Sequence, residues 1–150
     1  MSGEGPGERR FAEHSAGGVV VRDGTECVVI VPTRRAANGA KVLELPKGHV
    51  DSGETAAQAA AREVREEAGV QARLIGDLGA VRYWYMRDGR RIAKQVDFFL
   101  FEYVDGQVDD HDHEVEHARW MPLAEAAKGL TYEGEREMAA RALSQMGRDG

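Results

Sequence analysis

Short apolar runs alternate with polar, glycine-containing breaks along this chain, and one longer stretch keeps a helical period. Residues 16–21 and 27–31 are β-branched runs on either side of Arg22-Asp23-Gly24-Thr25, which is the pattern of a hairpin. Residues 34–40 are polar and read as a loop, and 42–45 as a short strand that stops at Pro46. The segment 47–53 holds two glycines and no periodicity, so an irregular loop is expected. Residues 55–68 lack Gly and Pro and are mostly strong helix formers, with Gly69 placed to end the helix. Two strands are expected over 72–86 and 91–104, around the turn Arg87-Asp88-Gly89-Arg90, and another over 119–121. Pro122 opens the segment 123–128, and 133–145 forms a final helix. The order is a mixed β/α pattern with a central and a terminal helix, without repeats or an interdomain linker. Residues 1–12, rich in glycine and charge, are expected to be disordered, and 13–150 to form one domain.

The central helix carries the candidate chemistry. Ala57, Ala60, Ala61, Val64 and Ala68 share one stripe at helical spacing. Glu63, Glu66 and Glu67 share another, about 130° away from the 3.6-residue period. The helix is therefore expected to pack by alanine and to show three carboxylates at the rim. Arg62 reaches Glu66 at i+4 but cannot satisfy all three, whereas a hard divalent cation takes oxygen ligands. A solvated charged face, with Arg62 and Arg65 among the glutamates, is the simpler reading of the helix alone. The glycine-containing loop before it, with Lys47 as a cation for phosphate, shifts the balance toward a ligand site.

Bulk composition narrows the classes. The chain has 150 residues, 42% hydrophobic and 31% charged, which suits one soluble domain. Its net charge of −6 argues against a stable nucleic-acid partner, which calls for a basic surface, but allows a small phosphorylated substrate. The lone Cys27 excludes an internal disulfide and sits in a run that reads as a buried strand. No stretch approaches the roughly 18 apolar residues of a membrane span, and the start lacks a signal-peptide core, so the cytoplasm is the expected location. His111, His113 and His117 have no spacing that fixes a metal geometry. Oligomeric state leaves no mark on the sequence.

Gly48, five residues, Glu54, seven residues, and Arg62-Glu63-Val64-Arg65-Glu66-Glu67-Ala68-Gly69-Val70 resemble the Nudix hydrolase box with every fixed position filled. The resemblance implies an α/β/α sandwich around a mixed sheet. It implies Mg²⁺, with Mn²⁺ as an alternative, held by Glu63, Glu66, Glu67 and the carbonyl of Gly48. Arg62 would orient the carboxylates, and Glu54 would brace the loop onto the helix. The base for the attacking water would be a box glutamate or one from a later loop, here Glu114 or Glu116. Glu114 is preferred, also as a further metal ligand, because it is the first acidic residue of the short segment before Ala118-Arg119-Trp120.

Residues outside the box are similar to the diadenosine polyphosphate hydrolase branch: Leu45-Pro46-Lys47-Gly48-His49-Val50, Tyr83-Trp84-Tyr85, Gly89 to Lys94, the strand 96–100 and Leu130-Thr131-Tyr132-Glu133-Gly134. This similarity implies asymmetric hydrolysis of diadenosine tetraphosphate to ATP and AMP. Lys47 and Lys94, with Arg91 as a weaker choice, would hold the phosphates, and Tyr132 with either Tyr83 or Tyr85 would stack on the base. In a strand Tyr83 and Tyr85 share a face and Trp84 takes the other, so one set is expected to be core. Two positions depart from the branch. Val42 stands where some members carry a phosphate-binding histidine, with Lys41 as a possible replacement, and Glu44 stands where an aromatic is usual. Competing readings are a pool-cleaning nucleoside triphosphatase, an ADP-ribose hydrolase, an RNA 5′-pyrophosphohydrolase and, in another class, a non-catalytic nucleotide-binding module.

Overall fold

The computed structural model describes residues 13–149, so the tail expected at 1–12 lies outside the described residues. Strand β1 (Glu13–Arg22) turns into β2 (Glu26–Pro32) through Asp23 and Gly24, both at positive φ, as a two-residue hairpin turn requires. The two strands pair only at Val21↔Cys27 and Arg22↔Glu26 and then diverge. The chain from Glu44 to His49 fills the fork. Glu44 bridges Ile30, the Gly18 N–H donates to the Pro46 carbonyl at 3.1 Å, and β3 (Lys47–His49) pairs antiparallel with β1.

Two expectations change here. The strand read at 42–45 is a single bridge, because Val42 and Leu45 are apolar for burial rather than for pairing. The loop read at 47–53 begins as a strand, invisible to periodicity because Lys47, Gly48 and His49 carry no hydropathic alternation.

The helix α1 (Ala56–Ala68) starts at a capping box: the Gln58 N–H donates to Thr55 Oγ1 at 3.1 Å, and the Thr55 N–H donates to Gln58 Oε1 at 2.9 Å. Gly69 ends it in the left-handed region, its N–H donating to the Arg65 carbonyl. Strands β4 (Val70–Arg87) and β5 (Arg90–Gly106) form a long hairpin closed by Asp88 and Gly89, again at positive φ. Strand β6 (Val115–Pro122) is followed by α2 (Leu123–Gly129) and α3 (Glu133–Asp149). The sheet order is β4-β5-β1-β2-β6, with β3 also on β1. Strand β5 runs parallel to β1 and the other paired strands are antiparallel.

Alternation along the central strands divides the core. Ala16, Val20, Val28 and Ile30 pack against Ala59, Ala60, Val64 and Ala68 of α1. Val19, Val21, Cys27, Val29 and Leu100 pack against Leu123, Ala126, Met138, Ala139 and Ala142 of α2 and α3. The mixed sheet thus lies between helices, as the α/β/α expectation required. Burial pushes the Cys27 thiol up to about 12, consistent with a packing role. Among the described residues, no helix is long and apolar enough to cross a membrane.

The buried stripe of α1 differs from the expected one. Ala59, Ala60, Glu63, Val64 and Ala68 are buried, while Ala57 and Ala61 are half-buried. The helix is rotated so that Glu63 enters the packed face, against β3, instead of standing at its rim. This rotation sets up the site.

Candidate active site

The fork between β1 and β2 brings the loop 44–49 against Arg62, Glu63 and Glu67 of α1. A Cβ placed on Gly48 would lie 2.1 Å from Glu63 Cδ, so only glycine lets the backbone meet this carboxylate. Gly48→Ala is expected to displace Glu63 and lower turnover about tenfold, a loss of roughly 1.4 kcal/mol in transition-state stabilisation, with little change in the fold. Circular dichroism paired with steady-state kinetics checks this.

Arg62 organises the acidic residues around it. Its Nε donates to Glu54 Oε2 at 2.8 Å, and Nη1 to Glu63 Oε2 at 3.0 Å and Glu66 Oε1 at 3.1 Å. Nη2 donates to the His49 carbonyl at 2.9 Å and to Glu54 Oε1 at 3.0 Å, with Asp51 at 3.3 Å. Glu54 also accepts from the Asp51 N–H, so it braces the loop through both an amide and Arg62. Hydrogen bonds from Arg62 and Asp51 hold the Glu54 carboxyl down at about 2.

The other two positions are less well compensated. Burial raises Glu63 above the usual carboxylate range against the pull of Arg62, and the charges of Glu66 and Glu114 add to the rise. Glu67 Oε1 accepts from the Lys47 N–H at 2.9 Å. Burial, with Glu63 and Asp112 nearby, pushes Glu67 up to about 8.

The donor set suits a hard divalent cation: carboxylate oxygens of Glu63, Glu66, Glu67 and Glu114 and the Gly48 carbonyl. A cation would also relieve the crowding that raises Glu63 and Glu67. Arg62 takes one oxygen each of Glu63 and Glu66, and the Lys47 N–H takes one oxygen of Glu67, which leaves the second oxygen of each carboxylate outside these bonds. Among the described residues, no three such side chains converge at ligating distance. The same observation leaves His111, His113 and His117 without a shared centre. Glu114 lines the cleft from the segment before β6, with its carbonyl accepting from the Thr33 N–H at 2.9 Å. Glu116 instead pairs with Arg35 and Lys41 outside the cleft, and their hydrogen bonds lower its carboxyl. Of the two later glutamates, the structure brings Glu114 alone to the cleft. Lys41, the suggested substitute for a phosphate contact, is likewise turned away to Glu116.

The cleft itself has a volume of about 1170 Å³ and runs from Gly48, Glu63, Glu67 and Glu114 to Tyr83, Lys94 and Tyr132. Tyr83 and Tyr132 are each 41% exposed, which leaves their rings open to a ligand. Tyr85 points its hydroxyl to Glu13 and does not line the cleft. Neither face at this end of the hairpin is core, since Trp84 is 44% exposed and stacks under Arg91 at 4.2 Å. That stacking places Arg91 with Trp84, outside the cleft lining, contrary to the expected phosphate contact.

Lys47 lines the cleft and is also engaged inside the fold. Its Nζ lies 3.1 Å from Glu44 Oε1 and 3.7 Å from Glu135 Oε2, with both carboxylates buried. Burial works against its charge, but Glu135 and Glu44 outweigh this and raise its pKa. Lys47 is therefore the counter-ion of an internal cluster. Arg34, which sequence reasoning missed, caps the same Glu44 at 2.7 Å and lines the cleft. The unusual acid at position 44 was the available signal for this cluster. Lys94 is half-buried in the cleft, and burial followed by the charge of Lys47 lowers its pKa.

The NUDIX domain model matches residues 12–142. The chain is 39% identical over 137 residues to protein MutT4 of Mycobacterium tuberculosis, covering 87% of this chain and 54% of that protein. It is 34% identical over 97 residues to the mouse asymmetrical bis(5′-nucleosyl)-tetraphosphatase, covering 63% of this chain and 65% of the relative. The chain thus spans about half to two thirds of the length of these relatives. The crystal structure of a Caenorhabditis elegans Ap4A hydrolase binary complex superposes with a TM-score of 0.68 at 26% identity, covering 91% of this chain and 98% of that one. The mixed sheet between helices, the glycine-to-glutamate contact and the Arg62 clamp occur within a match spanning most of the sequence, and the chain belongs to the NUDIX family.

Proposed function

We propose that this domain hydrolyses a diphosphate linkage in a nucleotide, and that its preferred substrate is a dinucleoside tetraphosphate cleaved asymmetrically. The observation that carries this reading is the single cleft joining the carboxylate cluster to two exposed tyrosines, with Lys94 and Arg34 along it. Its volume of about 1170 Å³ exceeds the roughly 300–1,000 Å³ of ordinary small-ligand pockets, which favours a substrate longer than a mononucleotide. The Ap4A hydrolase and tetraphosphatase likenesses support the same choice.

Glu63, Glu66, Glu67 and the Gly48 carbonyl would hold Mg²⁺ or Mn²⁺, with Glu114 lining the same cleft. When bound, such an ion lowers the pKa of a coordinated water and neutralises the diphosphate. Glu114 takes the proton of the attacking water at a carboxylate oxygen. Arg62 fixes the carboxylates that remain on it and keeps the loop seated through Glu54. Lys94 and Arg34 bind the phosphates as cations. Tyr132 and Tyr83 offer ring faces to a base, each stack being worth roughly 1–3 kcal/mol.

Tyr132→Ala is expected to raise KM for adenine-containing substrates roughly tenfold, with kcat nearly unchanged, since the stack is lost equally from ground and transition states. An unchanged KM would leave Tyr132 as a surface residue at the start of α3. The substrate reading is tested by comparing kcat/KM, with Mg²⁺, for diadenosine tetraphosphate, ADP-ribose, an oxidised nucleoside triphosphate and 5′-triphosphate RNA. A clear preference for the first supports it, and a preference for any other member rejects it.

A further inference from the structure

Among the described residues, one buried side-chain polar atom has no hydrogen-bond partner: Ser15 Oγ on β1. Ser15 is 1% exposed, and its register places it opposite Val96 of β5 and His49 of β3. Strand alternation sets its side chain on the face opposite Ala16, away from α1. Ser15, Lys47, His49, Lys94 and Val96 all line the cleft, so this part of β1 forms its floor. A buried hydroxyl without a partner is costly, and native proteins rarely leave one so.

The nearby polar groups do not supply that partner. His14 bonds to Asp97 at 2.7 Å, and Lys47 is committed to Glu44 and Glu135. Lys94, one register step away on the same face, forms no ion pair within 4 Å among the described residues. An unmatched hydroxyl donor and a lysine that forms no ion pair within 4 Å therefore both line the cleft. The ligand chemistry that answers both is an anionic oxygen.

We propose that Ser15 Oγ is a substrate-binding donor that hydrogen-bonds a phosphate oxygen of the polyphosphate chain beside Lys94. This inference rests on the polyphosphate reading above. It assigns Ser15 a contact that forms only with substrate present, when a local shift of the cleft floor exposes the hydroxyl. In the unliganded protein the hydroxyl opposes stability, and bound substrate removes that opposition.

The test compares the parent protein with Ser15→Ala and Ser15→Cys. Ser15→Ala removes the donor, and Ser15→Cys keeps most of the volume with a much weaker one. The probe is inorganic tripolyphosphate with Mg²⁺, read by calorimetry, alongside the melting temperature without ligand. Ser15→Ala is expected to melt at or above the parent temperature and to bind tripolyphosphate about tenfold more weakly, with Ser15→Cys in between. KM for diadenosine tetraphosphate should rise by a similar factor, with kcat within about twofold of the parent. Unchanged tripolyphosphate affinity in Ser15→Ala overturns the proposal, as does a lowered melting temperature with unchanged affinity, which marks a structural hydroxyl. A parent protein that binds no tripolyphosphate also overturns it. If the parent binds the probe but leaves every dinucleoside polyphosphate uncleaved, the substrate reading fails, and Ser15 is still judged on the probe affinities.

Discussion

Glu67→Gln should cut turnover on the order of 10²-fold or more and, at the same time, stabilise the metal-free protein at alkaline pH. The first effect follows from replacing one proposed metal ligand with a neutral amide of almost the same volume. The second follows from burial and the charges of Glu63 and Asp112, which push the Glu67 carboxyl from 4.5 up to about 8. A carboxyl raised on folding contributes stability that is fully present below its unfolded value. That contribution is lost as pH rises through about 8, where the buried carboxylate ionises. Glutamine keeps the oxygen that accepts from the Lys47 N–H but never ionises. The variant should therefore match the parent near pH 5 and melt above it near pH 9, by roughly 2–4 °C for each kcal/mol relieved. Added Mg²⁺ should raise the parent's melting temperature and move the variant's far less. Thermal melts at the two pH values, with and without Mg²⁺, check this alongside kcat. Near-normal turnover would remove Glu67 from the site.

Arg62→Ala is expected to have the largest combined effect on stability and rate. One guanidinium joins Glu54, Glu63, Glu66, Asp51 and the His49 carbonyl, tying the loop to the helix. Its removal leaves Glu63, 9% exposed, without its counter-charge. The loss should be about 2–4 kcal/mol, somewhat below the roughly 3–5 kcal/mol for breaking a fully buried pair because Arg62 is part-exposed, and kcat/KM should fall about 10²-fold. Lysine should restore little, because a single ammonium cannot bridge partners along a planar fork. Acid sensitivity should also change. Glu54, held at about 2 by Arg62, contributes stability present above 4.5 and lost as pH falls through about 2. Without Arg62 most of that contribution disappears, so stability should fall less between pH 7 and pH 3 in the variant than in the parent. Urea titrations at pH 3 and pH 7 measure both parts. An unaltered acid limb would show that the clamp does not carry the loop.

The sequence made the carboxylate helix readable because its signals are local. Thr55 and Gln58 cap its start, Gly69 ends it, and Glu63, Glu66 and Glu67 recur at helical spacing. The turns at Asp23-Gly24 and Asp88-Gly89 were readable for the same reason, since positive φ at both positions demands a short list of residues. What stayed hidden depends on partners far along the chain. The pairing of Lys47 with Glu135, from α3, joins positions far apart in sequence and leaves no local signal. Periodicity put Ala57 and Ala61 inside, but contact with β3 rotates α1 to bury Ala59 and Glu63 instead. Trp84 and Arg91 were read apart, and only the closing hairpin brings them together. Tyr83 and Tyr85 share a strand face, and only the bond from Tyr85 to the distant Glu13 separates the one that lines the cleft from the one that does not.

The most direct measurement is the product ratio from diadenosine tetraphosphate incubated with the protein and Mg²⁺, separated by chromatography. Equal amounts of ATP and AMP, appearing together from the earliest time point and absent with Glu67→Gln, are the expected result. Two equivalents of ADP, or no cleavage, would contradict asymmetric hydrolysis at this cleft.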